Sequence, residues 1–77
     1  MFNRLPNHVL TVHHNRNIPM VSPEECARRC IFEMTFKCRG FDYELKVMNC
    51  WLTEQTPVDT NGVQVHHGAD YYQRILD

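Results

Sequence analysis

The spacing of apolar and polar positions changes along this chain, and each change marks an element. His8–His13 is rich in β-branched residues and predicts a strand. Asn15–Pro19 is polar, ends on proline and reads as a loop. Ser22-Pro23-Glu24-Glu25 carries the signals of a helix start: a serine to cap, a proline at the first helical position and a glutamate three residues after the serine. The helix is expected from Pro23 to Phe32–Met34. Cys26, Cys30, Ile31 and Met34 would share its inner stripe, and Glu24–Arg28 and Glu25–Arg29 would pair on its wet side. The period then shortens to two. Arg39, Phe41, Tyr43 and Leu45 alternate with Cys38, Gly40, Asp42 and Glu44, as a strand does. A turn over Lys46–Asn49 and a returning strand at Cys50–Thr53 complete a hairpin. Thr56–Gly62 has loop chemistry, Val63–Val65 is a short strand, and Asp70–Ile75 is a final one. One helix on a small antiparallel sheet is an α+β architecture.

Length sharpens this picture. At 77 residues the chain forms a single domain with a marginal core, and scaffolds of this size usually need covalent staples. Four cysteines, Cys26, Cys30, Cys38 and Cys50, are clustered as a disulfide framework would be, which implies an oxidising compartment. Four cysteines allow three pairings, and spacing alone does not choose among them. An all-thiolate zinc site would use the same residues, but three residues between helical cysteines suits ligands poorly.

Charge excludes more than it suggests. The net charge is −1 and the pI is near 6.5, unlike a polybasic nucleic-acid binder. No apolar run is long enough to span a membrane. The first residues, Met1-Phe2-Asn3-Arg4-Leu5-Pro6, lack the apolar stretch of a signal peptide, so the chain is expected to be one segment, residues 1–77, of a larger extracellular protein. Catalysis has little to draw on. Ser22 is the only serine and is expected to cap the helix, and bridged cysteines offer no thiolate. Asp42 and Tyr43 form the nearest thing to a polar constellation, with core or sheet-surface roles the simpler account. The doublets His13-His14 and His66-His67 suggest metal, yet strand neighbours point to opposite faces and rarely chelate. A histidine from each could meet across adjacent strands and switch at about pH 6. No cofactor and no metal is called for.

The intervals C-x3-C-x7-C-x11-C place two cysteines on a helix, one at the start of a strand and one on the partner strand. Together with Ser22-Pro-Glu-Glu-Cys-Ala-Arg-Arg-Cys, Phe36-Lys-Cys-Arg-Gly-Phe-Asp-Tyr and Asn49-Cys-Trp-Leu, this pattern resembles the PAN/apple family. It is similar to the modules at the N-termini of plasminogen and hepatocyte growth factor. The resemblance runs over nearly the whole chain. It implies the pairs Cys26–Cys50 and Cys30–Cys38, and an interaction module that docks onto an extracellular protein or a neighbouring domain of its parent chain. Heparin-like glycosaminoglycan or another carbohydrate is the alternative ligand. The bases Arg28, Arg29, Lys37, Arg39 and Lys46 interleave with Glu24, Glu25, Glu33 and Glu44, which reads most simply as a solvated face. Trp51 follows a cysteine, so it faces away from Cys50, either packing on the second sheet face or contacting a partner. Hot spots favour tryptophan and arginine, and binding residues favour turns on rigid scaffolds. Partner contacts are therefore expected at Arg28, Arg39, Lys46 and Trp51.

Overall fold

The structure, a computed structural model, describes residues 1–10 and 14–75. Its elements run β1 (Phe2–Val9), β2 (Arg16–Ile18), α1 (Pro23–Phe32), β3 (Gly40–Glu44), β4 (Asn49–Thr53), α2 (Pro57–Thr60) and β5 (Gln64–Arg74). Among the described residues the five strands form one antiparallel sheet in the order β1-β5-β3-β4-β2, with α1 packed on one face.

The helix starts where its cap chemistry puts it. Ser22 Oγ accepts the Glu25 amide at 3.1 Å, Pro23 occupies the first turn, and Glu24 and Glu25 face the positive end of the helix dipole. The carboxylate of Glu25 does not close a capping box. It turns outward to Arg29 (2.8 Å) and Arg28 (3.4 Å), so Arg28 pairs three residues back with Glu25 rather than with Glu24. Cys26 and Cys30 are fully buried and anchor α1, Cys26 to Cys50 in β4 and Cys30 to Cys38 just ahead of β3. Ile31 and Met34 do not share that stripe. At about 100° per residue Ile31 points roughly 120° away from the midpoint of the two cysteines. Met34 would return to the stripe only in a continuing helix, but Glu33 turns extended (φ −64°, ψ 132°) and α1 ends.

Period-two geometry sorts the sheet into two faces, since directly paired residues point the same way. Phe41 and Tyr43 of β3, Cys50 and Leu52 of β4, Ile18 of β2 and Tyr72 of β5 face α1. They form the main core, in which Phe41 stacks on Tyr72 (4.6 Å between rings) and meets Phe2 edge-on (5.3 Å). Asp42, Trp51, Thr53, Ala69 and Tyr71 face the other way. Most of that second face is buried too, which is why β3 shows no exposed side despite its alternating sequence. Gly40 lies at the centre, between β4 and β5. A Cβ there would stand 2.5 Å from the Tyr72 carbonyl oxygen, so only glycine fits.

Several elements depart from the sequence reading. Asn15–Pro19 contains strand β2, because Ile18 buries against Cys50 while Asn15 ties the segment to β4 through its amide (to the Leu52 carbonyl, 2.8 Å). Thr56–Gly62 contains the single turn α2, started by the amide and hydroxyl of Thr56 donating to Asp59 (2.9 and 3.2 Å). The two expected C-terminal strands are one, β5, bent around an irregularity. Pairing with β1 jumps from Pro6–Asp70 to His8–Val65, with Asn7 (φ 60°) and Gly68 (φ 95°) in left-handed conformation on its two sides. Of the strand expected at His8–His13, His8 and Val9 lie in β1, which begins earlier, at Phe2. Thr11, Val12 and His13 lie outside the described residues.

Candidate functional site

Beneath the polar end of the second face lies Asp42, 2% exposed. β3 places it between Trp51 of β4 and Tyr71 of β5. Its carboxylate accepts the Leu10 amide (3.2 and 3.3 Å) and meets His14 Nε2 at 2.6 Å. Burial raises the Asp42 carboxyl above the usual carboxylate range, against the opposing pull of His14, the Leu10 amide and the charge of His66. Of the histidines in the two doublets, His14 is the one that contacts this buried acid among the described residues. His14 also leans on Trp51 (rings 5.4 Å apart), and the Trp51 indole N–H donates to Glu44 at 2.7 Å. Trp51 is therefore half-buried at the rim of this face. Tyr71 lies deeper, and its hydroxyl has no hydrogen-bond partner among the described residues. Burial pushes that hydroxyl up to about 12.

Chemically this cluster is a positioning network. The carboxylate organises Leu10 and His14 over the sheet. Ser22 Oγ is engaged by the Glu25 amide, and all four cysteines are bridged. Among the described residues no group of three or more His, Cys, Asp or Glu side chains is arranged to hold a metal ion, and no helix is long and apolar enough to cross a membrane.

The expected contact residues are scattered. Arg28 stands on the outer side of α1, paired with Glu25 and lying 5.8 Å above the Phe32 ring. Arg39 is exposed ahead of β3, its backbone clamped between Thr53 and Arg74. Lys46 is exposed at the β3–β4 turn. Trp51 lies on the sheet face opposite α1, so the sheet stands between Arg28 and Trp51. Arg28 does not share a patch with Trp51.

A more concave feature forms where α1 ends. A cavity of about 290 Å³ opens between α1 and β2, lined by Arg16, Ile18, Arg29, Phe32, Glu33, Met34 and Thr35. Glu33 is fixed in its wall. One carboxylate oxygen accepts the amide and hydroxyl of Thr35 (3.1 and 2.6 Å), and the other meets Arg16 Nε at 3.4 Å. Those hydrogen bonds from Thr35, helped by Arg16, hold the Glu33 carboxyl below its ordinary value. Sequence reasoning put the helix end at Phe32–Met34, which includes the observed end, but missed this groove because it assigned Ile31 and Met34 to the buried stripe. The signal available was width. Ile31, Phe32 and Met34 together exceed what one stripe beside two cysteines can bury.

The family model for the PAN domain matches residues 1–76, essentially the whole chain. The chain belongs to the PAN domain family. PAN domains are modules that bind proteins or carbohydrates, which is consistent with an interaction module. Disulfide bonding of this kind is typical of extracellular domains. No curated protein matches this PAN domain.

Proposed function

We propose that this PAN domain is a docking module of a larger extracellular protein, holding a protein partner or a neighbouring domain of its own chain. The observation that carries the reading is the apolar exposure at the end of α1. Phe32 is 69% exposed and Met34 93%, with Ile31 beside them, in a domain that has little apolar surface to spare for its core. Arg28 borders this surface, and Arg39, Lys46 and Trp51 supply further contacts on the hairpin side. Sulfated glycan is the second reading, favoured by the exposed Arg39 and Lys46, neither of which has an ion-pair partner among the described residues. Immobilised domain incubated with extracellular fluid is expected to retain a protein, and a heparin column to release the domain at or below physiological salt. Firm heparin retention above that salt with no protein captured would favour the glycan reading instead.

A further inference from the structure

We propose that the groove at the C-terminal end of α1 binds an extended peptide segment of a partner protein in which an apolar side chain is flanked by carboxylates. The inference rests on the docking reading and gives it a place and a ligand chemistry.

The donors come first. Arg16 from β2 and Arg29 from α1 face the groove, their side chains about half exposed at 47% and 52%. Each is oriented from behind through Nε alone, Arg16 by Glu33 at 3.4 Å and Arg29 by Glu25 at 2.8 Å. A guanidinium carries one donor on Nε and the rest on its two Nη atoms. Among the described residues no Nη of Arg16 or Arg29 has a hydrogen-bond partner. Both forks thus keep Nη donors without protein partners among the described residues, the donors that a carboxylate can receive in pairs. Thr35 holds one oxygen of Glu33, which keeps that carboxylate in the groove wall beside Arg16.

The apolar part lies between these forks. Ile18 is packed in the core and closes the base, while Phe32 and Met34 stand open at the rim. Methionine and phenylalanine exposed at a concave site are costly to leave in water and adapt readily to a partner side chain. Charge complementarity here is directional rather than net. Three arginines, Arg16, Arg28 and Arg29, are matched by three carboxylates, Glu24, Glu25 and Glu33, so the groove carries no net positive charge. A polysulfated chain would meet those three acids, whereas a peptide bringing one or two carboxylates beside an apolar side chain matches both the forks and the rim.

The test is selection of random displayed dodecapeptides on the intact, disulfide-bonded domain, followed by affinity measurement of enriched peptides. Enriched sequences are expected to carry Asp or Glu close to Leu, Ile, Phe or Met. Their binding should fall about tenfold in Arg29→Gln and in Met34→Asp, the loss of one charge-assisted contact or one apolar contact. It should be unchanged in Val58→Asp, an equally exposed apolar site on α2. Met34 makes no core contact, so its variant remains informative if Arg29→Gln weakens the helix. Absence of enrichment, or enriched peptides that bind both groove variants normally, overturns the proposal. So does a heparin oligosaccharide whose binding both variants weaken while no peptide is selected. If a protein captured from extracellular fluid binds both variants undiminished, the groove assignment fails while the docking reading stands.

Discussion

Asp42 shows how one residue can shape a whole face of this domain. Its carboxylate is buried beside Leu10 and His14, and burial raises its pKa. A carboxyl whose folded pKa lies above its unfolded value of about 3.9 binds its proton more tightly in the folded state. Its contribution to stability is full below about pH 3.9 and is lost as the pH climbs through the folded value. Asp42→Asn keeps the shape, an acceptor for Leu10 and a group facing His14, but cannot ionise. Urea melts over a pH series should therefore show wild type losing stability relative to Asp42→Asn as the pH rises from about 3.5 toward neutrality. A constant difference would mean that Asp42 is solvated rather than buried. Gly40 is a steric counterpart on the same strand. Alanine would press its Cβ to 2.5 Å from the Tyr72 carbonyl and 3.1 Å from the Tyr71 hydroxyl, and the first of these is backbone in a paired strand. Gly40→Ala is expected to cost about 2 kcal/mol, read as a lowered midpoint in the same melts.

At the scale of elements, α1 follows from its cap. Ser22→Ala removes the acceptor for the Glu25 amide and leaves Pro23 and the acidic first turn in place, so the expected loss is about 1 kcal/mol in a denaturant melt. Signals of this local kind were legible in the sequence. Ser22, Pro23 and the four-residue cysteine interval place the helix, and the alternation around Phe41 and Tyr43 and the return at Cys50–Leu52 place the hairpin. What stayed hidden depends on partners far along the chain. β2 has a single buried residue, Ile18, and is a strand only because β4 is there to pair with it. The end of α1 at Phe32 falls within the expected range, but the exposure of Met34 was equally hard to see, since Glu33 turns out of the helix to meet Thr35 and Arg16, a residue 17 positions earlier. The bend in β5 needs Asn7 on β1 as much as its own Gly68, and its amide reaches the Asn7 side-chain oxygen only at 3.5 Å. The candidate groove inherits both blind spots, being built from the end of α1 and from β2, whereas Arg28, Arg39, Lys46 and Trp51 could be named from residue type without knowing which face each would occupy.

For the whole molecule, a core shared between two sheet faces and one short helix makes the covalent links decisive, and their unequal spans allow them to be ranked. Cys26–Cys50 joins residues 24 apart and ties α1 to β4, near the middle of the sheet, while Cys30–Cys38 spans 8 and ties the end of α1 to the entry of β3. Closing a loop restricts the unfolded chain more as the loop lengthens. The chain-entropy relation assigns about 3.5 kcal/mol to the longer link and about 2.5 kcal/mol to the shorter. Paired replacement with serine separates them without leaving an unpaired thiol. Cys26→Ser with Cys50→Ser should lower stability by about 1 kcal/mol more than Cys30→Ser with Cys38→Ser, measured as the difference between denaturant midpoints at equal m-value. The groove adds a second readout, because Cys30 holds the last turn of α1, from which Phe32 projects and Glu33 turns back toward Arg16. Loss of the shorter link should therefore relax the groove while sparing most of the fold. Selected peptides should bind the Cys30/Cys38 double variant more weakly than wild type under conditions where its melt still shows a cooperative folded state. Equal binding would show that the end of α1 is held by its packing on the sheet alone, and a larger stability loss for the shorter link would show that strain or residual structure, rather than loop entropy, sets the contribution of each bridge.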